Sequence, residues 1–152
     1  MTAVLSIGSN LGDRLAMLRL AVEFLQPDRV SSVWETAPVG GVEQDDFLNA
    51  VVLVELSAAQ AWARAVAAET AAGRTRELRW GPRTLDVDVI WAPGTAAALT
   101  LPHPRAFERS FVLLPWLEVD PEAVLPGHGP VALLPAALDR AGLRPHPDLA
   151  LR

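Results

Sequence analysis

Residues 79–91 read R-W-G-P-R-T-L-D-V-D-V-I-W and carry the strongest structural pattern of the chain. Two arginines flank a Gly-Pro turn, and the alternating β-branched residues that follow predict a strand. Because side chains alternate between the two faces of a strand, Asp86 and Asp88 share one face, about 6 to 7 Å apart. The other face then carries only apolar side chains, namely Leu85, Val87 and Val89. Two carboxylates on one face suit a metal that prefers oxygen ligands.

The two acids also have a plainer interpretation, as the solvated side of a half-buried strand. Two observations favour a site instead. Asp is depleted in strands, and like charges on one face repel unless a cation lies between them. Four of the thirteen basic residues fall within ten positions just before the strand: Arg74, Arg76, Arg79 and Arg83. Carboxylates beside arginines indicate a site for Mg²⁺ and phosphate groups.

Composition narrows the possible functions. With 152 residues, 51% of them apolar, we expect residues 1–152 to form a single domain with a full core. The chain lacks cysteine and lysine, which excludes thiolate catalysis, Cys-based zinc sites, Schiff-base lysines and the lysine of a phosphate-binding loop. The net charge of -5 argues against a general nucleic-acid binder. No apolar stretch approaches a membrane span and no leader is evident, so we expect a cytoplasmic protein.

The order of elements predicts an α+β fold, with a ferredoxin-like βαββαβ core and an antiparallel sheet. Strands are expected near residues 4–7, 30–36, 47–56 and 85–91. The first helix follows G-S-N-L-G-D-R, with Ser9 or Asn10 as its cap. The second runs from a capping box at Ser57 and Gln60 to Gly73 and buries Trp62, Ala65 and Val66. C-terminal helical and strand additions follow, with a last helix around residues 135–141 and a disordered tail over residues 142–152.

If both helices cover one face of the sheet, the other face carries an aromatic ring, an amide and two acids together. These residues are Phe47, Asn49, Asp86 and Asp88. This composition suits a flat polar ring beside a metal. Taken singly, Phe47 could belong to the core and Asn49 could be a satisfied strand amide.

Several further residues have two interpretations each. Glu69 lies at the edge of the buried stripe of the second helix, where it either pairs with an arginine or belongs to the site. His103, fixed between two prolines, and Arg109 are either surface residues or phosphate contacts. By helical spacing alone, Phe111 is more typical of a core residue than of a ligand platform. The loop at residues 37–46 is either a binding element or an ordinary connection.

The combined motifs resemble the 6-hydroxymethyl-7,8-dihydropterin pyrophosphokinases of folate biosynthesis. The signature is R-W-G-P-R-T-L-D-V-D-V-I. Three further blocks match in the right order: S-I-G-S-N-L-G-D-R, F-L-N-A-V-V and P-H-P-R-A-F-E-R-S-F-V-L-L-P. The resemblance implies that the pterin hydroxymethyl oxygen attacks the β-phosphorus of ATP and that AMP leaves. It also implies two Mg²⁺ ions with ATP, held by Asp86 and Asp88.

The resemblance implies roles for individual residues. Catalytic roles fall to Arg74, Arg76, Arg83, Asp86 and Asp88. Contacts with ATP fall to Glu69, Arg74, Arg76, Arg83, Thr100, His103 and Arg109. Contacts with the pterin fall to Thr36, Pro38, Val39, Phe47, Asn49, Trp80, Asp86 and Phe111. We expect the only partners to be these two substrates, with no nucleic acid and no membrane, and a monomeric protein.

Two other functions are alternatives to this one. A non-enzymatic module could bind single-stranded RNA on the open sheet face, but the chain is acidic and has no aromatic RNA-binding stretch. A catalytically idle nucleotide-sensing domain would share the site without the turnover. Mixing the protein with Mg²⁺, ATP and the pterin alcohol distinguishes the three functions, because only the pyrophosphokinase is expected to form AMP and the pterin diphosphate.

Overall fold

The fold is taken from a computed structural model that describes residues 2–37, 46–73 and 85–151. Strands occupy β1 Ala3–Ser9, β2 Arg29–Val30, β3 Val33–Thr36, β4 Phe47–Val54, β5 Asp86–Trp91, β6 Val124–Leu125, β7 Gly129–Pro130 and β8 Leu143–His146. The α-helices are α1 Arg14–Leu25, α2 Ala58–Ala71 and α3 Ser110–Val119. Short 3₁₀ turns lie at Ala106–Glu108, Val131–Leu133 and Pro135–Ala137. The last of these turns stands where the sequence predicted a helix around residues 135–141.

The main sheet has the strand order β5-β1-β4-β3-β8, and β2 also pairs with β4. All of its neighbours are antiparallel. The α+β prediction with an antiparallel sheet is therefore confirmed. The strand predicted over residues 30–36 is interrupted, because the Ser32 amide donates to Glu118 Oε2 at 2.6 Å instead of joining the ladder. Within residues 142–152, for which the sequence predicts disorder, Leu143–His146 form the strand β8 beside β3.

Helices α1 and α2 cover one face of the sheet. As predicted, Leu48, Ala50, Val52, Val54 and Leu56 join this core, together with the apolar residues Leu85, Val87 and Val89. The predicted cap of α1 is wrong. Asp13 is the N-cap and accepts a hydrogen bond from the Ala16 amide at 3.1 Å, whereas Ser9 still belongs to β1.

Helix α2 buries a row of small side chains: Ala58, Ala61, Ala65 and Ala68. The predicted stripe was right for Ala65 and wrong for Trp62 and Val66, each of which is 36% exposed. An alanine row lets the helix approach its neighbours closely, and the two larger side chains flank that row. The spacing of apolar residues therefore predicted the buried face of α2 with an error of one position.

The capping box of α2 is present as predicted. Ser57 Oγ accepts from the Gln60 amide at 3.2 Å, and Gln60 Oε1 accepts from the Ser57 amide at 3.0 Å. Replacing Ser57 with Ala should lower the free energy of unfolding by about 1 kcal/mol, since one amide at the helix start loses its partner. Urea denaturation of the Ser57→Ala and Ser57→Asp variants measures this effect. The aspartate variant, which can still cap, should stay close to the parent; equal losses in both would contradict the assignment.

Helix α3 packs against part of the opposite face of the sheet. A second core there joins Val51, Leu53 and Ile90 of the sheet to Leu113 and Trp116 of the helix. This face is therefore open only where α3 does not cover it. Among the described residues, no helix combines the length and apolar character needed to cross a membrane.

Candidate active site

Strand β1, which lies between β5 and β4, brings three of the predicted site residues together. Gly8 pairs with Asp86 on one side and with Asn49 on the other, while Ser6 pairs with Asp88. Paired residues point to the same face, so Asp86, Gly8 and Asn49 form a row across three strands, spanning about 10 Å. Because the middle position is a glycine, no side chain stands between the acid and the amide.

Asn49 is held rigidly in this row. Its side chain is buried, and Nδ2 donates to Thr36 Oγ1 at 2.6 Å. The amide lies over Gly8, where an added Cβ would lie only 2.7 Å from Asn49 Oδ1. The orientation of the amide is therefore fixed, and the glycine is required by this close approach. Gly8 is not among the predicted site residues, although a glycine inside an apolar strand pattern signals such an approach.

The acids lie beside an arginine. Arg109 Nη1 is 3.7 Å from Asp88 Oδ2, with 26% of the arginine side chain and 34% of the aspartate side chain exposed. The Arg109 guanidinium also lies 5.7 Å from the centre of the Phe111 ring. An ion pair this accessible contributes little to stability, about 1 kcal/mol or less. Its effect is to keep a cation next to the acids, at the start of α3.

The carboxylates fit a hard metal ion. Asp86 and Asp88 are both half-buried on one face of β5, and Mg²⁺ is usually held by one or two carboxylates while keeping water or phosphate oxygens as its other ligands. Within residues 2–37, 46–73 and 85–151, no cluster of three or more His, Cys, Asp or Glu residues is placed to hold a metal. The pair therefore suits a metal that shares its coordination with a substrate.

His103 is oriented by backbone contacts. Its amide donates to the Ile90 carbonyl at 2.8 Å, and its Nδ1 accepts from the Arg105 amide at 3.2 Å. With Nδ1 acting as an acceptor, the proton of the neutral ring is assigned to Nε2, which can donate to a ligand. Burial, and then the charge of Arg109, lowers the pKa of His103, while Asp86 opposes this shift. The imidazole is therefore neutral at pH 7.

The opposite effects of Arg109 and Asp86 on the pKa of His103 predict opposite changes when each residue is replaced. Replacing Arg109 with Gln should raise the pKa of His103, and replacing Asp86 with Asn should lower it further. The pKa of His103 is lower in the folded protein than in the unfolded chain, where it is about 6.5. The contribution of His103 to the free energy of unfolding is therefore present above the unfolded pKa and is lost as the pH falls through the folded-state pKa. The chemical shifts of the imidazole protons, followed by NMR between pH 4 and pH 8, measure the pKa of His103 in both variants. Shifts in the same direction in the two variants would contradict the placement of His103 between these charges.

Glu69 is bound to the backbone of the acid strand. Its Oε2 accepts from the Val87 amide at 2.9 Å, so the end of α2 is tied to the strand between Asp86 and Asp88. Thr100 is exposed, shortly before His103 in the chain. Phe47 and Phe111 are each half-buried.

Six of the predicted site residues lie outside the described residues. They are Pro38, Val39, Arg74, Arg76, Trp80 and Arg83. The predicted site residues that the structure describes are Thr36, Phe47, Asn49, Glu69, Asp86, Asp88, Thr100, His103, Arg109 and Phe111.

Comparison with known proteins gives consistent matches. The sequence model of the family described as 7,8-dihydro-6-hydroxymethylpterin-pyrophosphokinase matches residues 4–121. A protein of Mycobacterium tuberculosis (strain CDC 1551 / Oshkosh) named 2-amino-4-hydroxy-6-hydroxymethyldihydropteridine pyrophosphokinase is 47% identical over 158 residues, covering 91% of this chain and 84% of the relative. Proteins of the same name from Mycobacterium leprae (strain TN) and Bacillus subtilis (strain 168) are 52% and 41% identical, covering 80% and 77% of this chain and 73% and 77% of the relatives.

Proposed function

Since the chain belongs to the 7,8-dihydro-6-hydroxymethylpterin-pyrophosphokinase family, we propose that its reaction takes place on the sheet face that carries Asp86, Asp88 and Asn49. The reaction is the ATP-dependent transfer of a pyrophosphoryl group to the hydroxymethyl group of the dihydropterin, with release of AMP, a step of folate biosynthesis. The observation that supports this location best is the row of Asp86, Gly8 and Asn49, with Arg109 close to Asp88.

The pterin is proposed to lie against this row, beside the Asn49 amide. Its polar edge would meet the Asn49 amide, whose orientation is fixed by Thr36, and hydrogen bonds from a buried, fixed amide discriminate well between ring edges. Phe47 at the start of β4 and Phe111 at the start of α3 are proposed to stack on the ring. Because both rings are half-buried, each has apolar surface to offer a flat ligand.

Asp86 and Asp88 are proposed to hold two Mg²⁺ ions together with ATP. When bound, Mg²⁺ neutralises charge on the phosphate oxygens and aligns the attacking and leaving groups. The protein's part is to fix the two carboxylates on one face of β5. Arg109 and the Nε2 proton of His103 can then donate to phosphate oxygens beside them.

The remaining contacts are proposed from the family resemblance. Thr36 and the loop residues Pro38 and Val39 would lie along the pterin, and Trp80 would cover it. Phosphate and nucleotide contacts would come from Glu69, Arg74, Arg76, Arg83 and Thr100. We also propose that the chain acts as a single-domain monomer in the cytoplasm; light scattering during gel filtration measures its mass.

Product analysis tests the reaction. Purified protein mixed with Mg²⁺, ATP and the pterin alcohol should form AMP and the pterin diphosphate in equal amounts, as followed by ³¹P NMR. A reaction without the pterin alcohol is the control and should leave ATP intact. Formation of ADP, or no nucleotide turnover at all, would refute the proposed function.

A further inference from the structure

Two arginines join the facing ends of β3 and β4 on the side of the sheet that faces α1. Arg14 Nη1 donates to the Asp46 carbonyl at 2.7 Å and to Glu35 Oε2 at 3.3 Å. Arg144 Nη2 is hydrogen-bonded to Glu35 Oε1 and lies 3.4 Å from Asp46 Oδ2. Each arginine therefore contacts both strand ends.

Glu35 is the anion at the centre of this cluster. Its side chain is only 17% exposed. Burial raises its pKa, but Arg144 and then Arg14 outweigh that effect, so the pKa lies below its usual value and the carboxylate is charged at neutral pH. His146 also faces it, with Nε2 at 3.5 Å from Glu35 Oε1. A charged, mostly buried carboxylate held by two guanidinium groups has a well-defined position.

Arg14, Arg144, Glu35 and Asp46 form a cluster that we call the clamp, and its two acidic residues adjoin the proposed pterin contacts. Glu35 precedes Thr36, and Asp46 precedes Phe47. Thr36, the last residue of β3, pairs with Phe47, the first residue of β4, and Thr36 also accepts the hydrogen bond that orients Asn49. Neighbouring residues in a strand point to opposite faces, so a contact made behind the sheet fixes the backbone that carries side chains on the front.

Arg144 comes from the C-terminal strand. It lies on β8, which pairs with β3 and stands beyond residues 4–121, the region matched by the family's sequence model. None of the site motifs in the sequence includes this segment. The C-terminal strand is thus a separate part of the chain that reaches the site from behind.

We propose that Arg144 and Arg14 are positioning residues, which hold the ends of β3 and β4 at the separation that pterin binding requires. The inference rests on the proposed function, because it takes Thr36, Phe47 and Asn49 as the pterin contacts. Neither arginine touches the substrate. Both act through Glu35 and Asp46.

If Arg144 only stabilised the fold, its replacement would not affect pterin binding selectively. With 65% of its side chain exposed, Arg144 forms ion pairs of the kind that contribute about 1 kcal/mol or less to folding. Its removal should therefore change the melting temperature by only a few degrees, about 4 °C at most for a chain of this size. A positioning role instead adds a selective loss of pterin affinity, with ATP affinity unchanged.

The test compares Arg144→Gln with Arg144→Lys and with a matched control, Arg19→Gln. Arg19 Nε donates to the Ala150 carbonyl at 3.0 Å, so it also joins α1 to the C-terminal segment but lies outside the clamp. We expect Arg144→Gln to raise the pterin Kd and KM by about five- to tenfold, equivalent to 1 to 1.4 kcal/mol, with KM for ATP unchanged. Arg144→Lys should recover most of the affinity, and Arg19→Gln should bind like the parent.

An unchanged pterin Kd in Arg144→Gln, or an equal rise in the control, would overturn the proposal. Amide hydrogen exchange in the ligand-free protein separates this result from a failure of the proposed function. Faster exchange at residues 34–37 and 46–49 in Arg144→Gln than in Arg19→Gln supports the clamp, even if the parent binds no pterin. Equal exchange in the two variants refutes it, whatever the activity.

Discussion

Replacing Asp88 with Asn should reduce kcat by about a thousandfold while the protein stays folded. Losing one of the two carboxylates proposed to hold the metal should remove about 4 kcal/mol of transition-state stabilisation, which corresponds to about three factors of ten in rate. Stability should change little, because the pair between Asp88 and Arg109 is accessible to water and the neighbouring Asp86 loses a repulsive partner. Single-turnover kinetics at saturating ATP and Mg²⁺ measure the chemical step.

The exposed Asp148, which lies in the C-terminal segment, provides a matched control. Asp148→Asn removes the same charge from the same residue type and should retain full activity. Asp86→Asn should show a loss comparable to that of Asp88→Asn. If both β5 variants turned over at the parent rate, the metal assignment would be wrong, whereas a collapse of their melting temperatures would show that the acids have a folding role.

Replacing Gly8 with Ala should weaken pterin binding by about thirtyfold. The added Cβ would lie 2.7 Å from Asn49 Oδ1, so the amide must move and its hydrogen bond to Thr36 must weaken. Crowding of this kind and a disturbed buried hydrogen bond together cost roughly 2 kcal/mol, which is about thirtyfold in affinity. Isothermal titration of the pterin alcohol into Gly8→Ala and the parent measures the difference.

A double-mutant cycle isolates the cause. Asn49→Ala removes the atom that the new Cβ would strike, so adding Gly8→Ala to that variant should cost less than about 0.5 kcal/mol in stability and in binding. The effects of the two substitutions should therefore be strongly non-additive. Additive losses would show that the glycine serves some purpose other than making room for the amide.

The part of the site on β5 could be predicted from the sequence because a strand has a period of two. Once residues 85–91 were assigned to a strand, Asp86 and Asp88 had to share a face, and Val87 had to take the other. The α+β class followed in the same way, from the order of helical and strand patterns along the chain. These inferences depend on local rules, which act over a few residues.

Other features depend on contacts between distant segments and could not be predicted in this way. The close approach of Asn49 to Gly8 joins two strands that are neighbours only after folding. The exposure of Trp62 and Val66 depends on how closely α2 packs on its alanine row. The cap of α1 was misassigned because Ser9, Asn10 and Asp13 are all good capping residues, and only the start of the helix at Arg14 decides among them.

The bond between Glu69 and Val87 also affects how the protein behaves in concentrated solution. Strand β5 is one outer edge of the sheet, and an outer strand with free amides can recruit a strand from another molecule and start aggregation. Glu69 already occupies the Val87 amide there, and Pro145 brings no amide hydrogen to β8 at the other edge. Each outer strand therefore offers one amide fewer for pairing with another molecule, and at β5 the group responsible is the same carboxylate that ties α2 to the acid strand.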